Sequence, residues 1–369
     1  MATINIPGNY DRVSTSFINT AMQNIRDTID YTKKSNEIFI YSNFPEYLTD
    51  EHLGDGNTPC YINKVSVPTR KSMLIYLTHH LDYLSGNYTL GIRVYNPNSN
   101  SITFTKKHEG YSNTHSWNNP GYAWEDFFAN KSGTTTVPGK TSVWLVQKEI
   151  NKTGNAGGSF FDYFGEFDVS GEFVIAVYVC KNINNIPESG GNAIDWTNND
   201  VTYSGYSNNY TLNGTKELDM ANALVSMYES YFFGISNPQQ GLGSSVEKIP
   251  ITLSYDNQTE VTTEDNVGNY GLQYDLKFTF TNSGNTPIRV KAYIISNHES
   301  HFAGLSSENG CSKFLYTNDG GNNTSNNRWN FYTSDIISKS GSATIDLTYC
   351  HLALGSRGAI LQFEAVPVE

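Results

Sequence analysis

GNYTLGIRVYNPNSNSI, residues 86–102, has a near-echo in GNYGLQYDLKFTFTNSGNTPI, residues 268–288. Each phrase opens Gly-Asn-Tyr, alternates apolar with polar residues, and breaks on an Asn-rich turn that contains a proline. In YTLGIRVYN (88–96), Leu90, Ile92 and Val94 point to one side of an extended chain, while Thr89, Gly91 and Arg93 point to the other. The pattern reads as a strand ended by a turn, with glycine admitting a bend or a close backbone approach. Two such phrases imply that one strand is placed equivalently in two sandwiches, through duplication or convergence.

Composition agrees with a β-rich protein. The chain has 369 residues, 38% hydrophobic and only 16% charged, with 25 tyrosines and 19 phenylalanines. Asn, Ser, Thr and Gly therefore do most of the solubilising. Aromatic and β-branched residues suit pleated, half-buried surfaces, and a disordered chain would show few aromatics and high charge. Most of the net charge of −12 falls after residue 185. Without an Arg/Lys run to neutralise phosphates, nucleic acid and anionic membrane surfaces are poor partners. No stretch is long and apolar enough to span a bilayer as a helix. MATINIPGNYDRVSTSF lacks the basic start and apolar core of a secretory signal. The expected location is a cytoplasmic inclusion, or a cell or spore surface reached after mother-cell lysis.

Along the chain, DRVSTSFINTAMQNIRDTIDYTK (11–33) carries a helical stripe of Phe17, Ala21, Ile25 and Ile29, flanked by Ile18 and Met22, with Ser14 or Ser16 as cap. Short alternating runs follow at 37–44, 73–81, 88–96, 101–110, 141–150 and 171–179, separated by turn signals with no helix between them. That is the pattern of an antiparallel sandwich rather than of βαβ units. An Asn/Gly/Ser-rich stretch at 182–216 suggests a boundary, LDMANALVSMYESYFFG (218–234) a short helix, and further alternating strands run to the C-terminus. The expected fold is all-β: two tandem antiparallel β-sandwich domains, jelly-roll or immunoglobulin-like, at 36–185 and 186–369, behind an N-terminal helical arm at 1–35.

SNFPEYLTDE (42–51), LIYLTHHLDYLSGNYTLGIRVYNPNSNSITFTKKHEG (74–110), GNYGLQYDLKFTFTN (268–282) and HFAGL (301–305) resemble a β-rich surface-protein region of spore-forming Gram-positive bacteria. That region is often attached to copper-amine-oxidase-N-terminal-like stalk domains. The resemblance covers about half the chain in short phrases and includes no catalytic motif. It implies a non-enzymatic, surface or assembly-related β protein, and it carries over no site residues.

His79 and His80 are adjacent on a strand, so they face opposite sides and do not share a metal; they read as partly buried strand histidines. HESH (298–301) spaces its histidines three apart in a turn-rich segment, whereas a metalloprotease helix needs four. Asp162, Glu166, Asp168 and Glu172 read as polar residues on an exposed strand face. The oxygen-rich loops 193–200 and 319–327 are where calcium would bind; no other cofactor is implied. Cys180 ends an apolar strand as a buried thiol, and Cys311 and Cys350 are the pair that could bridge. HSWNNPGYAWEDFF (115–128) gathers Trp117, Tyr122, Trp124, Phe127 and Phe128 in a loop-like stretch. Three roles compete for it: a loop pinned to the core by Trp124 and Phe128, a protein interface, or sugar stacking.

These readings converge on a non-catalytic structural protein that packs against copies of itself as a lattice, filament or crystalline inclusion. Its candidate interface residues are Phe17, Ala21, Ile25, Ile29, Trp117, Tyr122 and Trp124. Two alternatives stand beside it. One is an inclusion-stored insecticidal or pore-forming protein, with VEKIPITLSYDNQTEVTTED (246–265) as its hairpin. The other is a glycan-binding adhesin using the Trp117–Phe128 region.

Overall fold

The alternation at residues 88–96 forms a strand because both of its faces find partners. Tyr88, Leu90, Ile92 and Val94 are buried in one apolar core, and the backbone between them is hydrogen-bonded on both sides. The structure is a computed structural model. It describes residues 11–25, 29, 31–43, 47–50, 53, 60–67, 69, 71–116, 118–129, 132–152, 159–181, 204–207, 210–223, 230–234, 250–254, 261–265, 270–296, 303–306, 312–315, 326–352 and 359–369.

The arm holds β1 (Asp11–Val13), α1 (Thr15–Gln23) and β2 (Tyr31–Lys33). Ser14 caps α1, its Oγ accepting the Phe17 amide at 3.1 Å. Next come β3 (Glu37–Ser42), β4 (Tyr47–Thr49), β5 (Cys60–Val67), β6 (Ser72–Tyr83), β7 (Asn87–Tyr95) and β8 (Ile102–Thr114). They are followed by α2 (Asn119–Phe127), β9 (Gly133–Val137), β10 (Ser142–Asn151), β11 (Phe160–Val169), β12 (Phe173–Cys180) and β13 (Ser204–Ser207). Then β14 (Thr211–Asp219) runs into a 3-10 turn at Met220–Ala223, before β15 (Tyr231–Gly234), β16 (Pro250–Ser254) and β17 (Val261–Asp265). The last strands are β18 (Gln273–Thr281), β19 (Ile288–Ser296), β20 (Ala303–Ser306), β21 (Ser312–Leu315), β22 (Asn326–Thr333), β23 (Ser342–His351) and β24 (Ala359–Pro367). The helix expected over 218–234 is thus replaced at its ends by strand and 3-10 turn, while 224–229 lies outside the described residues. A strand end followed by a tight turn spaces apolar residues much as a helix does.

The protein is all-β, in two units. The first comprises Ser35–Tyr210 and Pro250–Asp265; the second comprises Met1–Lys34, Thr211–Ile249 and Asn266–Glu369. This division differs from the expected one in three ways. The arm belongs to the second unit, because β1 pairs with β22 and β2 with β14. The boundary falls at 210, beyond the expected 185. The hairpin β16–β17 joins the first unit by pairing with β13. Membership follows backbone hydrogen bonding, which composition does not encode.

In the first unit a sheet ordered β10-β7-β12-β5 faces one ordered β17-β16-β13-β3-β6-β11-β8-β9, with β4 also beside β6. Their inner faces meet in one core: Leu90, Ile92, Ile175 and Val177 against Ile40, Ile75, Phe161 and Phe167. Each such side chain is worth about 1.5–3 kcal/mol when removed from water. The second unit pairs β1-β22-β19-β24-β15 with β2-β14-β18-β23-β20-β21. Ring contacts join its sheets: Phe278 of β18 lies 4.5 Å from Phe363 of β24 and 5.7 Å from Phe233 of β15.

The two units share a plan, and a buried asparagine marks it in each. Asn96, after β7, donates from Nδ2 to the carbonyls of Asn100 (2.8 Å) and Val137 (3.0 Å) and accepts the Asn98 amide on Oδ1 (2.9 Å). Asn282, after β18, donates to the carbonyls of Thr286 (2.9 Å) and Ile337 (3.1 Å) and accepts the Gly284 amide (3.0 Å). Both backbones match as well. The Asn96 amide donates to Thr141, and its carbonyl accepts Lys140; the Asn282 amide donates to Gly341, and its carbonyl accepts Ser340. Lys140 and Ser340 both hold φ of 58°, an uncommon left-handed conformation outside glycine. Strand pairings correspond too: β7–β10 with β18–β23, and β8–β11 with β19–β24.

The echo is therefore an internal repeat, in a register other than its letters suggest. Counting back from the two asparagines makes Tyr88 equivalent to Tyr274, not to Tyr270. The shared Gly-Asn-Tyr stands four residues out of step, and what the copies share is the alternation and the turn. One neighbour differs. β7 lies beside β12, antiparallel, whereas β18 lies beside β14, parallel.

Replacing Asn96 or Asn282 by alanine removes the bonds of a buried amide to two carbonyls and one backbone N–H, each worth about 0.5–1.5 kcal/mol, although the Ile337 carbonyl keeps the Ile288 amide at 3.1 Å. We expect each variant to lose about 2–4 kcal/mol in urea unfolding. A loss under about 0.5 kcal/mol would show that the turn stands without its asparagine.

Candidate functional site

The aromatic stretch at 115–128 forms helix α2 rather than a loop. Pro120 lies in its first turn, where a missing N–H costs nothing because first-turn amides have no helical partner. The helix lies on the outer face of β8 and β11. Trp124 and Phe127 each stand 5.7 Å from Phe164, and Phe127 is 5.2 Å from His108. Gly110 permits this approach: a Cβ there would collide with the Ala123 carbonyl and the Phe127 backbone.

A sealed polar network holds the start of the helix to the sheet. The fully buried Asn119 donates from Nδ2 to Asp162 Oδ2 (2.5 Å) and the Ser112 carbonyl (3.0 Å). Its Oδ1 accepts the hydroxyls of Ser112 (2.7 Å) and Thr114 (2.8 Å). Every hydrogen-bonding position of the amide is thereby used. Asp162 has no solvent exposure, and burial raises its pKa to about 7, partly offset by the side chains of Asn119, Thr78 and Tyr76. A carboxyl closed under a helix has no substrate to reach, so its work here is to anchor α2.

Of the other acids of β11, Glu166 departs from the exposed-face reading as well, whereas Asp168 keeps it, with its side chain 45% exposed. Glu166 is buried and accepts the Tyr210 hydroxyl at 3.0 Å, with Lys107 at 3.9 Å. Asp168 takes Lys107 at 2.9 Å and the Ser72 hydroxyl at 2.5 Å. Burial, then the charges of Glu166 and Glu37, drive the Tyr210 hydroxyl far above the ordinary tyrosine range. The alternation in FFDYFGEFDV marks a two-sided strand but does not say that a helix covers its polar side.

The residues named as a candidate interface divide sharply. Phe17 and Ala21 are buried with Phe232, Ile295 and Ile360 of the arm's own unit, with Ile25 partly buried beside them. Ile29 is buried too, close over Gly214. Trp124 is buried under α2, as the core-pinning alternative held, Tyr122 is 40% exposed, and Trp117 lies outside the described residues. An amphipathic stripe shows that a helix must dock, and the fold supplies the dock within the same chain.

His79 and His80 face opposite sides as expected, but both are fully buried. His79 Nε2 lies 3.0 Å from the Ser42 hydroxyl, and His80 Nδ1 lies 3.7 Å from Asp82. HESH and both oxygen-rich loops fall outside the described residues. Among those described, no three His, Cys, Asp or Glu side chains gather in a way that could hold a metal ion. Cys180 is a buried free thiol whose pKa burial pushes up to about 12. Cys350 is likewise a buried free thiol, and Cys311, with which it could bridge, lies outside the described residues.

No protein-family model and no curated protein matches the chain. Among solved structures, a protein of the triple jelly-roll fold and turret assembly of an archaeal virus aligns with 100% of this chain and 67% of its own. That match has 11% identity and a TM-score of 0.16. The tandem CBM22 domains of Paenibacillus barcinonensis Xyn10C align over 91% and 92% at 10% identity, with a TM-score of 0.15. A human norovirus GI.7 Houston-strain VLP aligns over 100% and 80% at 9% identity, with a TM-score of 0.17. Likenesses this slight say nothing about function. No helix among the described residues is long and apolar enough to cross a membrane.

Asp162 binds its proton more tightly in the folded chain than in the unfolded one. The stability this confers is complete below about pH 4 and is lost as pH rises through about 7, by up to about 4 kcal/mol. Asp162→Asn removes the titration. Between pH 5 and 8 the wild type should therefore lose unfolding free energy relative to the variant. Parallel urea-unfolding profiles across that range would contradict the raised pKa.

Proposed function

We propose that this protein is a non-catalytic structural unit that self-assembles into a lattice, filament or crystalline inclusion, and that its N-terminal arm links the copies. The observation that carries this reading is the arm's place on its unit. β1 covers the β22 edge of one sheet and β2 covers the β14 edge of the other, by three residues each. Between them α1 presses Phe17 and Ala21 into an apolar seat. Arg328 braces the same seat, 5.8 Å from the Phe17 ring and 3.6 Å from Asp11. Edge strands left bare are templates for pairing with another chain, so an element that covers both edges is suited to doing so on a neighbouring copy. The low fraction of charged residues lessens repulsion between copies. A setting at a bacterial cell or spore surface rests on the resemblance of the 42–51 and 74–110 phrases.

The pore-forming alternative relied on a hairpin over 246–265. Among the described residues its strands β16 and β17 have five residues each, about half of what a bilayer-spanning strand needs.

Electron microscopy of the full-length protein across concentration should reveal ordered filaments, sheets or microcrystals. Thr32 and Asn213 are partners across β2 and β14. A Thr32→Cys/Asn213→Cys pair, oxidised while the protein is dilute, ties the arm to its own sandwich and should suppress assembly until reduced. Dispersed monomers under all conditions would overturn self-assembly. Assembly unaffected by the bridge would overturn the role of the arm.

A further inference from the structure

We propose that Tyr47 and Tyr83 form a stacking site for a pyranose ring of a neutral glycan. Among the described residues, four large apolar side chains are exposed: Tyr47 (38%), Tyr83 (63%), Tyr122 (40%) and Ile336 (51%). Two of these four touch. The rings of Tyr47 and Tyr83 lie 5.6 Å apart at 60°, giving a bent aromatic surface rather than two isolated rings.

The surface is built on a rigid support. One side of Tyr47 packs on the buried His80 ring at 4.2 Å, and His80 in turn meets the edge of Phe160 at 4.3 Å. Asp50, one residue beyond β4, accepts the Ser85 amide on both carboxylate oxygens at 3.1 Å and the Tyr88 hydroxyl at 2.5 Å. These bonds tie the segment that carries Tyr47 to the turn that follows Tyr83. Desolvation raises the Asp50 carboxyl, but the bonds from Ser85 and Tyr88, with the Lys181 charge, together outweigh it and hold Asp50 below the usual carboxylate range. The two rings therefore lose little freedom on binding.

The surroundings suit a sugar. The face of a pyranose presents a patch of C–H groups to an aromatic ring, while its equatorial hydroxyls seek polar partners at the rim. Asp82 is largely buried beside His80 and already accepts the Ser159 amide at 2.9 Å, so the polar rim comes from the next turn. The turn after Tyr83 exposes Ser85, Gly86 and Asn87. A protein contact of ordinary affinity needs about 800 Å² per partner, far more than two tyrosines supply, whereas one or two sugar rings need no more than this. The site also differs in position from the 115–128 stretch, where Trp124 is out of reach.

The test is affinity electrophoresis of the full-length protein in native gels containing hydroxyethylcellulose, xylan, galactomannan or mixed-linkage β-glucan. Wild type is run beside Tyr83→Ala, Tyr83→Phe and Tyr122→Ala. Retardation in at least one polysaccharide is expected. It should weaken about tenfold in Tyr83→Ala, persist in Tyr83→Phe, which keeps the ring, and persist in Tyr122→Ala. Tyr83 is mostly exposed, so the variant should melt with the wild type, which separates lost binding from lost fold. Absence of retardation in every gel, or retardation untouched by Tyr83→Ala, overturns the proposal. A change in sedimentation of Tyr83→Ala without polysaccharide binding overturns it in favour of a contact between copies.

Discussion

The turn after the central strand of each sandwich is built around a buried asparagine, and the placement of the next strand depends on it. Asn96 and Asn282 are each fully buried, so their amides must satisfy every polar group they displace from water. Each spans two carbonyls, one four residues ahead in the turn and one 41 or 55 residues on, at Val137 of β9 or at Ile337, which is bridged to Ile288 of β19. Closing that bridge fixes where β8 and β19 begin, and so sets which residues face inward. A slip of one residue would turn the whole apolar row of either strand toward water. Aspartate cannot donate and serine is too short, which accounts for an amide at both positions.

The same accounting governs the layer under α2. A sheet face carrying Ser112, Thr114 and Asp162 could remain wet, yet the chain covers it with Trp124 and Phe127 and satisfies the polar groups through Asn119. Closure makes the carboxyl hard to ionise. A helix pinned in this way loses its hold as the carboxyl gains charge near neutrality, because the incoming charge has no cation within the network. Stability and pH response thus come from a single cluster, and Trp124 and Phe127 of the aromatic stretch belong to the buried part of the fold.

The arm and the tyrosine platform lie on different units and make separate demands. The arm meets the edge problem common to open sheets, and its apolar seat makes it fit for linking copies. The platform places two rings at a strand end, where no core needs them and where Asp50 holds the support still. A structural protein that also grips a neutral polysaccharide would bring its assembly to a particular surface, so the two readings are compatible and can fail independently.

Much was legible in the amino-acid order alone. Period-2 alternation around Leu90, Ile92 and Val94 determined the strands and the all-β class, because one face must be apolar wherever a sheet is half-buried. The turn residues determined where strands stop, and the Ser14 cap with the Phe17–Ala21 stripe determined a helix. The repeat was visible, but its register was not, since the three matching letters Gly-Asn-Tyr are turn chemistry and the equivalence rests on asparagines whose partners lie 41 and 55 residues away. Only the tertiary structure decided which unit claims the arm, that the aromatic stretch is a covered helix, that Asp162 meets Asn119 across 43 residues, and that Tyr47 comes to rest beside Tyr83. Each of these depends on which strand lies next to which. That is settled by backbone hydrogen bonds common to all residues, and so leaves little trace in the local sequence.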